Sequence, residues 1–201
     1  MARSRDISKV LSSSTAVALD SELGLSLITP TSITATGGTG SIGATGAVTF
    51  SGCTAISLNG IFNSTYDNYK IIYQGTSSSA GAEVFIRFRA SGTDNSSNLY
   101  YSNRQGSFAY NTGHFSSSTN PGTQSIGIVA GDFTTRGSLA VLEISSPFLT
   151  KGTFLKFISN WGYFNAHGSV MHDSTTQFDG ISFYPNSGNE TGIIRVYGYR
   201  N

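Results

Sequence analysis

From residue 46 onward, apolar and polar positions alternate in short runs separated by clusters of Gly, Pro, Asn and Ser. A period of two is the mark of a strand with one face buried. Val84, Ile86 and Phe88 share one side of such a run, with Glu83, Phe85, Arg87 and Arg89 on the other. In the last run, Ile194 and Val196 oppose Ile193, Arg195, Tyr197 and Tyr199. Similar runs fall at 47–50, 55–58, 69–74, 99–102, 107–110, 125–129, 138–145, 153–159, 168–172 and 178–184. Turns are expected at Asp94-Asn95-Ser96-Ser97, Asn120-Pro121-Gly122, Arg136-Gly137, Lys151-Gly152 and Pro185-Asn186-Ser187-Gly188. With no long helical pattern between them, residues 50–201 are predicted to form an all-β, antiparallel, jelly-roll-like β-sandwich.

The first residues read differently. Ile7, Val10 and Leu11 follow helical spacing, and Ser12-Ser13-Ser14-Thr15 weakens it because those side chains compete for backbone hydrogen bonds. Val17, Leu19, Leu23, Leu25 and Leu27 continue the apolar series outside the strand-rich region. Each such side chain left in water forgoes about 1.5–3 kcal/mol of burial. Residues 1–27 are therefore expected to form an extended N-terminal attachment arm that docks elsewhere. Residues 28–49, rich in Gly and Thr, are expected to be a flexible connector. Within it, Gly37-Gly38-Thr39-Gly40 lacks the Lys-Ser/Thr and the following helix that a phosphate loop needs.

Composition narrows the function classes. Charged residues are 11% of 201, against about 25% in ordinary domains. Lys+Arg 12 against Asp+Glu 11 leaves a net charge of +1, without the clustered positive charge that nucleic acid demands. No apolar run approaches the 18 or so residues of a membrane span, and the polar start does not resemble a secretion signal. Cys53 is the single cysteine and is expected to act as a small buried hydrophobe.

Candidate chemistry is sparse. His167 and His172 lie five apart, which puts them on opposite faces of a strand, so no metal site is expected and loop or surface positions are. No Gly-x-Ser-x-Gly elbow exists, and the four glutamates, Glu22, Glu83, Glu143 and Glu190, do not cluster. A spatial pairing of carboxylates, such as Glu83 with Glu143, is left open as a hydrolytic arrangement. The chain is expected to be non-enzymatic, with no catalytic residue and no cofactor. The aromatic group at Trp161, Tyr163 and Phe164, with Asn165, suits either a sugar or partner contact or simple continuation of the strand before it. Phe85 and Arg87, with Arg195, Tyr197 and Tyr199, mix aromatic and Arg side chains as subunit contacts do.

Both ends carry a resemblance. Arg5-Asp6-Ile7-Ser8-Lys9-Val10-Leu11, followed by a Ser/Thr-rich arm, resembles the N-termini of structural proteins of tailed bacteriophages, marine phages especially. The ending, Phe178-Asp179-Gly180-Ile181-Ser182-Phe183-Tyr184-Pro185 and then Gly192-Ile193-Ile194-Arg195-Val196-Tyr197-Gly198-Tyr199, is similar to the closing hairpin of phage fibre-tip and head-decoration sandwiches. Residues 66–73 and 84–92 look like the first long strands of the same module. The resemblance implies a virion protein assembled in the bacterial cytoplasm, commonly a homotrimer. It would be fixed to other virion proteins by Ile7, Val10, Leu11, Val17 and Leu19. A short tail fibre or appendage is the first reading. A capsid decoration or head-fibre protein and a carbohydrate-binding module that contacts host-surface glycan are the alternatives.

Overall fold

The structure is a computed structural model and describes residues 24–79, 82–108, 113–127 and 137–199. Among them are sixteen strands and no helix. In chain order these are β1 (Leu25–Ile28), β2 (Ser32–Thr36), β3 (Thr39–Ile42), β4 (Val48–Cys53), β5 (Ala55–Asn59), β6 (Asn68–Ser77), β7 (Val84–Ala90) and β8 (Thr93–Asp94). There follow β9 (Tyr100–Phe108), β10 (His114–Thr123), β11 (Ile126–Gly127), β12 (Ser138–Ser145), β13 (Thr153–Trp161), β14 (Phe164–His172), β15 (Gly180–Pro185) and β16 (Glu190–Tyr199).

They form two antiparallel sheets, the jelly-roll-like sandwich that the alternation predicts. The larger, of ten strands, runs β10-β9-β14-β13-β12-β6-β16-β4-β3, with β1 beside the second half of β16. The smaller, of six, runs β11-β7-β15-β5-β2, with β8 on β7. Side chains that alternate inward from both sheets build one core. Val84, Ile86 and Phe88 point into it from β7, and Ile194 and Val196 from β16.

Residues 28–49 are not a flexible connector. They hold β2, β3 and the start of β4, and β1 takes Leu25–Ile28 from the segment expected to be arm. Ile33, Ala35 and Ile42 pack against the core. The glycines serve close approach. Gly37 turns the chain at φ +75°, and a Cβ on Gly38 would collide with the Ser51 carbonyl oxygen. Two further boundaries differ. Residues 100–102 and 107–108, expected in two separate runs, belong to the single strand β9, because Asn103 to Gly106 keep pairing with β14. Asn120-Pro121-Gly122 lies inside β10, at the register shift between Thr119 and Thr123.

The core is rich in tyrosine, whose hydroxyls need partners once buried. Tyr69 Oη donates to the Asn63 carbonyl at 2.9 Å and accepts from the Asn63 amide at 2.8 Å. Tyr100 Oη accepts from the Phe88 amide at 2.8 Å and donates to the Asn95 carbonyl at 3.1 Å. Tyr73 Oη donates to Glu190 Oε2 at 2.9 Å. Tyr100→Phe leaves a buried amide and a carbonyl unpaired while keeping the ring, and is expected to destabilise the fold by about 1–3 kcal/mol in urea titration. Unchanged stability would mean that the hydroxyl does not join the Phe88 and Asn95 backbones.

Candidate functional site

No described residue covers the outer face of the larger sheet. Along β13, Thr153, Leu155, Phe157 and Ser159 are buried while Phe154, Lys156, Ile158 and Asn160 are exposed. Strand register carries this alternation sideways into rows. One row at the β13–β14 turn end reads Ile193, Gln74, Leu139, Asn160, Asn165, Ser107 and His114, each directly opposite the next. It crosses seven strands, about 29 Å at the usual strand spacing of about 4.8 Å.

Two depressions lie along this row. One of about 610 Å³ is lined by Gln74, Leu139, Asn160, Trp161 and Ile193 among others. The second, of about 360 Å³, is lined by Gln105, Ser107, His114, Phe115, Asn165 and His167 among others. Asn160 and Asn165 are register partners, so the depressions adjoin across β13 and β14. The lining is amide, hydroxyl and imidazole with apolar side chains between. Such a surface can donate and accept hydrogen bonds without imposing a charge.

Trp161 ends β13 and stacks on Phe164, with ring centroids 5.0 Å apart and planes 6° from parallel. Gly162, at φ +52°, turns the chain, and Tyr163 is exposed at the tip. Asn165 Oδ1 accepts from Ser107 Oγ at 3.0 Å. Trp161 therefore borders the first depression and Asn165 the second, while Tyr163 lines neither. Gln74, Asn160, Gln105 and His114 were not singled out by sequence reasoning, and His167 was weighed only as a metal ligand. Outward parity was their only signal, and each is an ordinary surface polar residue until register aligns it with its neighbours.

Other expected groupings separate. Phe85 and Arg87 face outward from the smaller sheet, whereas Arg195, Tyr197 and Tyr199 face outward from the larger one, so the five do not form one surface. Arg87 lies over the Tyr184 ring at 5.0 Å and its Nε donates to the Gln124 carbonyl at 3.1 Å. Glu83 and Glu143 are not a pair. Arg104 Nη1 donates to both Glu83 oxygens at 3.0 and 3.1 Å, while Glu143 accepts from Tyr199 Oη at 3.1 Å on the outer face. Ile7, Val10, Leu11, Val17 and Leu19 lie outside the described residues. No group of three or more potential metal-ligating side chains occurs among the described residues.

His167 is exposed and His172 buried, on opposite faces of β14 as their spacing requires. His172 is thus a core residue and not the expected loop or surface histidine. It packs edge-on against Phe88, Tyr100 and Phe178, and burial lowers its pKa to about 4. Its Nε2 lies 3.3 Å from Asn95 Oδ1. Glu190, 3% exposed, is pushed up to about 7 by burial, against the lowering pull of the Tyr73 hydrogen bond. Its Oε1 has no hydrogen-bond partner among the described residues.

No family model matches the chain, and no curated protein matches it. Among solved structures, domain 4 of AbnA, a GH43 extracellular arabinanase from Geobacillus stearothermophilus, in complex with arabinotriose, is 13% identical with a TM-score of 0.39, covering 84% of this chain and 82% of that one. A human SPRY domain is 10% identical with a TM-score of 0.39, covering 83% and 97%. The C-terminal CBM6 of LamC, a marine laminarinase from Zobellia galactanivorans, is 13% identical with a TM-score of 0.30, covering 86% and 98%. Likeness at this level carries no argument about function.

Glu190 and His172 pull stability in opposite directions. Glu190 has a raised pKa in the fold, so its contribution is complete below about 4.5 and is lost as pH rises through about 7. His172 has a lowered pKa, so its contribution is present above about 6.5 and is lost as pH falls through about 4. Between about pH 4.5 and 6.5 the two slopes offset each other. In Glu190→Gln, the melting temperature should fall steadily on acidification from 6.5 to 4, and no longer fall as pH rises from 6.5 to above 7. Thermal melts across that range check both limbs, and an unchanged alkaline limb would remove Glu190 as its source.

Proposed function

We propose that this chain is a non-enzymatic virion protein, a short tail fibre or tail appendage, whose sandwich holds a neutral glycan chain across the outer face of the larger sheet. The observation that carries the glycan reading is the row from Ile193 to His114. It is long, uncharged, rich in amide and imidazole groups, and flanked by the Trp161–Phe164 stack. Sugar rings present hydroxyls and C–H faces, and this lining meets both. Among described strand residues facing outward from the larger sheet, Glu143 is the one carboxylate, whereas glycoside hydrolysis uses two about 5–9.5 Å apart. Placement on a virion rests on the resemblance at both chain ends.

A second reading makes the same face a contact between copies of this chain, with the homotrimer as the form that the resemblance implies. One observation favours it: Ile158 and Phe154 are 63% and 54% exposed on this face. Lys70, Glu143 and Lys156 run alongside as a row of alternating charge.

Purified full-length chain is expected to bind neutral polysaccharides on a glycan array. Replacing Asn160 or His167 by Ala should weaken binding about fivefold each, as loss of one hydrogen bond worth about 1 kcal/mol implies. No binding to any neutral glycan, together with a stable oligomer that Ile158→Lys dissociates in light scattering, would replace this reading by the second. Attachment to the particle is assigned to residues 1–23. Deleting them, and stopping before β1, is expected to abolish incorporation into particles while the sandwich keeps its melting temperature. Normal occupancy of the truncated chain would move the attachment to the sandwich.

A further inference from the structure

A second, smaller site lies on the other side of the β9–β10 hairpin. Ser102, Arg104, Ser117 and Thr119 have inward parity on these strands, but here the larger sheet extends past the smaller one. Between the hairpin and the β7–β11 edge is a cleft of about 280 Å³. Across it Arg104 Nη1 grips both oxygens of Glu83, and Arg104 Nε donates to Ser117 Oγ at 2.7 Å. The two charged side chains keep 25% and 30% of their surface exposed. The Phe85 ring forms part of the wall and is held by stacking on Tyr184, with centroids 5.9 Å apart. Gly127 lies directly beneath the ion pair, which rests against its bare backbone. A Cβ there would stand 3.0 Å from Glu83 Oε2, 3.2 Å from Arg104 Nη1 and 3.4 Å from Phe85 Cζ.

We propose that this cleft binds a single neutral pyranose ring, by hydrogen bonds from adjacent ring hydroxyls to Glu83 and Arg104 with a C–H face against Phe85. The chemistry selects this ligand class. A phosphate or carboxylate would meet Glu83, and a cation would meet Arg104. An apolar ligand would strip water from the serine and threonine hydroxyls without replacing their hydrogen bonds. A neutral ligand with vicinal hydroxyls is served by a carboxylate that accepts and a guanidinium that donates, both already fixed by their pairing. The volume falls below the range of about 300–1,000 Å³ usual for larger ligands, and so fits one ring and not a chain. The site shares the ligand class of the proposed function but not its residues, so either can fail alone.

The test is amide-shift NMR titration of the full-length chain with the methyl glycosides of glucose, galactose, mannose and N-acetylglucosamine, and with inorganic phosphate. At least one glycoside is expected to shift the amides of Ser117 and Gly127, with affinity unchanged in Asn160→Ala. Gly127→Val, which crowds Glu83 and Arg104 out of their pairing, should abolish the shifts, and Arg104→Gln should weaken binding about tenfold or more. Arg104→Gln also serves if Gly127→Val does not fold, since Arg104 is partly exposed. The proposal is overturned if no glycoside shifts these amides, if binding survives Arg104→Gln undiminished, or if phosphate binds more tightly than every glycoside.

Discussion

Aromatic packing between the two sheets is the constraint on which the rest of this molecule depends. Tyr73 stacks on Phe183 at 5.5 Å, and Phe88 lies between Tyr100 and Phe178 at 6.0 and 5.1 Å. Burying rings of this size supplies much of the driving force for closing a sandwich. The tyrosine hydroxyls extend its reach. Each is carried into the core and must find a partner there, and the partners lie at the edges. Asn63 and Asn95 belong to loops, and Glu190 begins β16. Core packing thereby fixes connections that carry little apolar surface of their own.

The sheets are unequal, ten strands against six, and the excess of the larger one shapes both candidate sites. On β9 the inward face begins with Tyr100, fully buried beneath the smaller sheet, and continues with Ser102 and Arg104, which are only half-buried. The change from aromatic to polar marks where the cover ends. The cleft at Arg104 and Glu83 is the space beneath that overhang. No described residue covers the outer face, so its rows consist of polar and charged side chains with a few apolar ones. The β9–β10 hairpin thus contributes to two surfaces of different depth, His114 and Ser116 to one and Ser117 and Thr119 to the other.

Buried polar groups are treated in two ways, by pairing on the outer face of the smaller sheet and by loss of charge inside the sandwich. Arg89, 8% exposed, is paired with Asp94 and surrounded by Ser57, Ser182 and Asn59, at 3.0, 2.8 and 3.0 Å. That network satisfies a charge that would be costly to bury alone. Glu190 and His172 are neutralised instead, Glu190 by holding its proton and His172 by releasing its second one, since burial favours the neutral form of each. Opposite pH slopes from one acid and one base leave a window in which neither form is forced to charge.

Alternation along the chain determined the strand class and the facing of residues on β7 and β16, because side-chain direction in a strand depends only on local backbone geometry. The spacing of His167 and His172 likewise placed them on opposite faces. Sequence alone did not reveal that His172 is the buried member, or that the Gly-rich segment at 37–40 links two strands. Both depend on what packs against them: Phe88 and Phe178 around the imidazole, and the Ser51 backbone against Gly38. The same limit applied to the surfaces. Phe85 and Arg195 read alike as outward aromatic-and-Arg strands, yet they belong to opposite sheets. Asn160, Asn165 and His114 become one row, and Glu83 meets Arg104, only through strand order and register. Those are set by contacts between segments far apart in the chain, which no local pattern encodes.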